Sequence, residues 1–125
     1  METKRQLQVG ELIKRNFSIV LQHEGRYIYG DEVLVTVTGV KMSSDLGLAK
    51  IYVSIFNTEN KQVVILQLAG ENVRLRQLLA RRIKNHVRRI PNIDVYEDET
   101  LDEMYNLNSV FDRLRQEKQM GGEEE

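Results

Sequence analysis

The sequence predicts an α+β fold in the order α-β-β-α-α-β, followed by one more helix. Three observations carry this expectation. Residues 33–56 hold two β-branched runs joined by a short, turn-rich link. Residues 4–22 and 74–90, on either side, repeat apolar residues at helical spacing. The chain has 125 residues, enough for one substantial core and too few for two.

Residues 4–22 read as an amphipathic helix. Val9, Leu12, Ile13, Phe17, Val20 and Leu21 form its buried stripe, with Lys14 and Arg15 beside it and Lys4 and Arg5 at its start. His23-Glu24-Gly25-Arg26 is the expected end, and Tyr27 to Asp31 a glycine-flanked connection. The run Val33 to Val40 is the first strand, with Val33, Val35 and Val37 on one face and Leu34, Thr36, Thr38 and Val40 on the other. Lys41 to Gly47 is the link, and Leu48 to Phe56 the second strand, with Ala49, Ile51, Val53 and Ile55 alternating against Lys50, Tyr52, Ser54 and Phe56. So short a link implies an antiparallel hairpin.

Asn57-Thr58-Glu59-Asn60 can cap a helix running to about Ala69, although Val63-Val64-Ile65 pulls toward strand. Gly70 breaks the pattern before the stretch Arg74 to Ile90, which reads as one helix stopped by Pro91. Ile93 and Val95 begin a third strand, with Asp94 and Tyr96 on its other face. Thr100-Leu101-Asp102-Glu103 is a capping box opening a last helix with Met104, Leu107, Phe111 and Leu114 on one stripe. Residues 1–115 are thus expected to form one domain, and residues 116–125 a polar, disordered acidic tail.

The segment 74–90 carries the functional signal. Leu75, Leu79, Ile83, His86, Val87 and Ile90 mark its apolar stripe, and that position makes His86 a core or boundary histidine. Opposite them Arg74, Arg81 and Arg88 line up as a ridge, flanked by Lys84 and by Arg82 and Arg89. The segment contains no acid, and like charges at helical spacing cost a free protein a few tenths of a kcal/mol. A polyanion would offset that cost; a solvated arginine-rich face is the competing reading. The whole chain has a formal charge of -1, yet residues 1–91 hold 15 Lys or Arg against 8 acids, and residues 92–125 hold 3 against 11. A basic body with an acidic end fits nucleic-acid binding.

Several classes are disfavoured. Without cysteine there are no disulfides, thiol nucleophiles or cysteine zinc sites. No apolar run has membrane-spanning length, and Met1 to Arg5 lacks a signal-peptide core, so the expected location is the cytoplasm. No nucleophile elbow or phosphate-binding glycine loop occurs, and no enzyme or cofactor is expected. The acids from Asp94 to Glu103 lack the spacing of a divalent-cation loop, so no metal is expected either. Ser43, Ser44 and Asp45 can meet phosphate, but such turn residues more often bond their own backbone. Lys50 can add one phosphate contact, and Tyr52 and Phe56 can stack on bases, although a helix packed across the sheet is the commoner use of such positions.

This order of elements resembles a type II KH domain, a three-stranded sheet with helices on one face, and KH domains bind RNA. The usual GXXG loop is missing; Ala69-Gly70-Glu71-Asn72 stands at that junction. More specifically, Val35-Thr-Val-Thr-Gly-Val-Lys-Met-Ser-Ser-Asp45 followed by Leu48-Ala-Lys-Ile-Tyr-Val-Ser54 resembles the ribosome-binding factor A family, whose pattern is V-x-x-S-x-D-L-x-x-A-K-V-Y-x-S. Leu46 and Gly47 keep that spacing. The helix from Lys4-Arg5 to Leu21, the stretches Leu75-Arg76-Gln77 and Leu79 to Ile83, and the arginine run before Pro91 fit as well. Two departures stand out. The family's Ala-x-Gly kink is replaced by Glu71, Asn72 and Val73, with Gly70 three residues early, so the kink is either shifted or absent. The span from Ile83 to Pro91 is two residues longer than the family's usual one.

The resemblance implies a non-catalytic small-subunit assembly factor. It would act as a cytoplasmic monomer that binds the immature 30S subunit near the 5′ region of 16S rRNA and supports late maturation and cold adaptation. Arg74, Arg81, Arg82, Lys84, Arg88, Arg89, Lys4, Arg5, Lys14, Arg15 and Lys50 are the candidate RNA contacts. The alternative is a protein-interaction module docking a basic partner through residues 94–114.

Overall fold

The computed structural model describes residues 2–98. Within them the elements follow the expected order: α1 (Lys4–Tyr29), β1 (Leu34–Met42), β2 (Leu48–Phe56), α2 (Lys61–Gly70), α3 (Asn72–Ile83) and β3 (Asn92–Glu97). The helix expected from Thr100 onward lies outside the described residues.

α1 starts where its first turn is capped. The Thr3 hydroxyl accepts from the Gln6 N–H at 3.1 Å, and Gln6 Oε1 accepts from the Thr3 N–H at 2.7 Å. The buried Gln6 then donates from Nε2 to the Met42 carbonyl at 3.0 Å, which pins the start of α1 to the end of β1. Contrary to expectation, the helix does not end at His23–Arg26. It runs on to Tyr29, and Gly30, with φ 93°, ends it. Gly25 is tolerated inside because the Tyr29 ring, one turn on, occupies the place its Cβ would take.

The sheet has the order β1-β2-β3, with β1 antiparallel and β3 parallel to the central β2. Its inner face, from Val37, Met42, Ala49, Ile51, Val53, Ile55 and Ile93, packs in one cluster with Phe17 and Ile13 of α1, Val64 and Leu68 of α2, and Leu75, Leu79 and Ile83 of α3. One sequence expectation fails inside β1. The register shifts between Val37 and Gly39, so Thr38 bulges out of the ladder. The extra residue reverses the alternation: Val40 now lies opposite the buried Ile51 and shares the core face with Val37, not the outer face with Leu34. The bulged stretch also meets α1 at Gly10, where a Cβ would stand 3.1 Å from the Val40 carbonyl oxygen.

Asn60 caps α2 by accepting from the Val63 N–H at 3.3 Å. α2 and α3 are separated by the single residue Glu71, so a kink is present, shifted to follow Gly70. Asn72, just past it, donates to the Ile93 carbonyl at 2.8 Å and ties the kink to β3.

The largest departure is the long basic helix. α3 ends at Ile83, and residues 84–91 turn back toward the sheet instead of continuing to Ile90. The topology requires this. β3 runs parallel to β2 and pairs Asn92 with Leu48, so the chain must return to the hairpin-turn end of the sheet. Arg76 holds the return, donating to the carbonyls of Pro91 and Ile90 at 2.9 and 2.8 Å. His86 lies in this turn and is exposed, not part of a core stripe.

Candidate nucleic-acid interface

With α3 cut short, the ridge of Arg74, Arg81 and Arg88 does not exist as one helical row. Arg74 is engaged elsewhere. Its Nη2 lies 2.6 Å from Glu24 of α1, and its Nη1 3.9 Å from Glu71. Arg81 and Arg82 end α3 against α1 and border a shallow hollow of about 200 Å³ with His23 and Glu24. There Arg82 Nε donates to Asn16 Oδ1 at 3.1 Å. The pairs Arg74–Glu24 and Arg82–Asn16 show that α1 and α3 lie antiparallel, with the basic end of α3 toward the middle of α1.

Beyond α3, Lys84, Arg88 and Arg89 are exposed on the returning segment. Arg88 and Arg89 come together with Arg5, from the first turn of α1, around a cleft of about 480 Å³. Val9, Leu46, Val87 and Asp45 complete its lining. Lys4 and Arg15 border a separate groove along α1 with Leu7, Gln8, Glu11 and Leu12. Lys14 is half-buried, and its carbonyl accepts from Ser18 Oγ. Lys50 stands apart, because it alternates with Ala49 and Ile51 and so faces away from the helices, opposite Asp94 and Lys41.

Among the described residues, Lys4, Arg5, Lys14, Arg15, Arg81, Lys84 and Arg88 have no carboxylate within ion-pair distance. The described acids are partly spent on structure. Glu24 takes Arg74, Glu97 lies 4.0 Å from Lys61, and Asp98 Oδ2 accepts from Thr38 Oγ1 at 2.6 Å. Within the described residues, the surface along the α1–α3 seam and around the cleft is therefore rich in unpaired cations.

The hairpin turn serves its own backbone, as turn chemistry favours. Ser43 Oγ donates to Asp45 Oδ1 at 2.7 Å, Gly47 N–H donates to the same oxygen at 2.9 Å, and Ser43 Oγ accepts from Leu48 N–H at 3.0 Å. These donors, with Arg89 nearby, hold the Asp45 carboxyl below its ordinary pKa. On the outer sheet face Tyr52 stacks on Tyr96, with centroids 5.7 Å apart, and no helix of the described residues covers them.

Three structural residues escaped the sequence reading. Thr3 and Gln6 fit the capping-box pattern and were findable by it. Arg76 stands in the sequence only within the stretch Leu75-Arg76-Gln77; its tie to the 90–91 carbonyls depends on a fold-back that no local pattern announces. No group of three or more His, Cys, Asp or Glu side chains among the described residues could hold a metal ion. No helix among them is long and apolar enough to cross a membrane.

Comparison with known proteins agrees with this architecture. The family model described as ribosome-binding factor A matches residues 5–111. Ribosome-binding factor A of Cytophaga hutchinsonii is 34% identical over 114 residues, covering 91% of this chain and 85% of that protein. The crystal structure of ribosome-binding factor A from Thermus thermophilus superposes with a TM-score of 0.60 at 25% identity, covering 74% of this chain and 94% of that one. A homology model of the T. thermophilus factor, fitted into the cryo-EM map of a 30S complex, gives 0.52 at 25% identity over 70% of this chain and 92% of that one. By its matched length and the identity to its relatives, the chain belongs to the ribosome-binding factor A family.

Proposed function

We propose that this protein binds the immature 30S ribosomal subunit through 16S rRNA and supports late maturation of that RNA in the cytoplasm, including at low temperature. It acts as a monomer and performs no chemistry of its own. Residues 1–115 form the binding unit. The observation that carries this reading is the group of cations without carboxylate partners among the described residues, Lys4, Arg5, Lys14, Arg15, Arg81, Lys84 and Arg88, on the α1–α3 side of the sheet. A family relative seen on the 30S subunit supports the same partner.

The mechanism is phosphate neutralisation. Each Arg or Lys that meets a phosphate releases condensed counterion, so affinity falls steeply with salt. Guanidinium groups on a helix and loop recognise backbone and shape more than sequence. Binding one conformation of an rRNA helix more tightly than its alternatives shifts the population toward it, with no covalent step. Arg74 contributes less than its position on α3 suggests, since Glu24 already neutralises it.

Co-sedimentation with purified 30S subunits at rising salt tests the proposal. Wild type should bind in a salt-sensitive way, and Arg81→Glu with Arg88→Glu should abolish most of that binding while leaving the thermal midpoint nearly unchanged. Both residues are exposed, so a large loss of stability is not expected. Wild-type binding that is indifferent to salt would refute the electrostatic mechanism.

A further inference from the structure

Gly47 is buried in the hairpin turn, and its backbone is fully used. Its N–H donates to Asp45 Oδ1 at 2.9 Å, and its carbonyl accepts from Asn92 N–H at 2.9 Å, joining the turn to the start of β3. Its φ is not left-handed; among the described glycines only Gly30 has a positive φ. The backbone therefore does not demand glycine here. What fills the space beside it is Arg89. A Cβ on Gly47 would stand 2.8 Å from Arg89 Nη2 and 3.2 Å from its Cζ, with Asp45 Oδ1 also at 3.2 Å. The guanidinium lies in the space where a side chain would be.

Arg89 so placed shares the cleft of about 480 Å³ with Arg5 and Arg88. Three guanidinium groups and one carboxylate, Asp45, line it, a local balance of +2 from those four groups. That carboxylate is already committed to Ser43 Oγ and Gly47 N–H. Guanidinium carries five N–H donors in a fixed fork suited to phosphate oxygens, and Arg89 has no ion pair within the described residues to occupy them. Resting on the RNA-binding reading above, we propose that this cleft seats one phosphate group of the polynucleotide backbone between Arg5, Arg88 and Arg89, and that Gly47 is the positioning residue that sets Arg89 there. A Cβ at residue 47 would push the guanidinium out of this place, which is why the empty space there bears on affinity.

The test measures 30S binding across salt for wild type, Gly47→Ala, Arg89→Ala, the double variant and Arg5→Ala, with thermal unfolding of each. Gly47→Ala should fold as wild type does, because the atoms it displaces most are the mobile tip of an arginine. It should flatten the slope of log K against log salt by about one, as Arg89→Ala does, because one phosphate contact is lost. The gap from wild type then shrinks about tenfold for each tenfold rise in salt. The double variant should bind no worse than Arg89→Ala, a coupling that a purely structural role for Gly47 would not produce.

If wild type binds with salt sensitivity but Arg89→Ala and Arg5→Ala keep its slope, the seat is wrong while the RNA reading stands. Losses from Gly47→Ala and Arg89→Ala that simply add would overturn the positioning role. Should Gly47→Ala fail to fold, Arg5→Ala and Arg89→Ala decide alone: flattened slopes in both support the seat, and unchanged slopes refute it. Competition by a polyglutamate peptide as strong as by an RNA of equal length would mark a carboxylate site instead. Salt-indifferent wild type would remove the RNA reading itself.

Discussion

Arg76 donates from Nε to the Pro91 carbonyl at 2.9 Å, and this contact explains why the basic segment is not one helix. A second bond from Nη2 to the Ile90 carbonyl, at 2.8 Å, closes the fork. Together they hold residues 84–91 back along α3, deliver Asn92 to its pairing with Leu48, and bring Arg89 to the hairpin turn. Arg76→Ala should cost about 1–3 kcal/mol, since two carbonyls lose a charged donor in a half-buried site. Arg76→Lys should recover only part of this, because one ammonium does not reproduce a two-pronged fork. Urea unfolding measures both; a full recovery by lysine would mean that charge alone matters there.

The core sets the scale for larger losses. Val53 is fully buried in the central strand, between Val37 of β1 and Glu97 of β3. Val53→Asp places a carboxylate there with no cation in the core cluster to meet it, and is expected to abolish folding. Phe17→Ala, at another fully buried site, should cost about 3–5 kcal/mol and leave a cooperative transition. Far-UV circular dichroism and denaturant titration separate the two outcomes. A folded Val53→Asp protein would place Val53 on a solvated face.

Much of the fold was legible because local chemistry and tertiary need agree. The alternation of Ala49, Ile51, Val53 and Ile55 is the core face of β2, and Asn60 caps α2. Legibility fails where a long-range requirement wins. The apolar pattern of residues 74–90 fits a helix throughout, yet the parallel placement of β3 forces a return after Ile83. The bulge at Thr38 is equally silent, since a β-branched residue suits a strand whether paired or not. The candidate site suffers the same limit. Arg5, Arg88 and Arg89 stand out as cations in the sequence, but nothing local puts residue 5 beside residue 89, and nothing marks Arg74 as already paired with Glu24.

Acid should act on the hairpin turn in a defined direction. The Ser43 hydroxyl, the Gly47 N–H and Arg89 all favour the ionised Asp45, so its folded pKa is depressed. A depressed carboxyl contributes stability that is fully present above its unfolded value, about 3.9, and is lost as pH falls through the lower folded value. This group therefore gives no pH dependence near neutrality. Asp45→Asn should remove its share of the acid limb, and NMR titration of the carboxyl should show a midpoint below that of an ordinary aspartate. A midpoint at or above the ordinary value would contradict the turn geometry.

Lys50 offers the sharpest contrast with the rest of the basic set. It lies on the face of the sheet opposite the helices, in register with Lys41 on one side and Asp94 on the other. The cleft arginines belong to α1 and the 84–91 return, across the sheet from it. Lys50→Glu should therefore leave the salt dependence of 30S binding as in wild type, whereas Arg88→Glu should flatten it. Both variants should keep the wild-type thermal midpoint, because both side chains are exposed. If Lys50→Glu weakens binding as much as Arg88→Glu, the RNA surface extends to the outer sheet face, where the stacked rings of Tyr52 and Tyr96 would meet it.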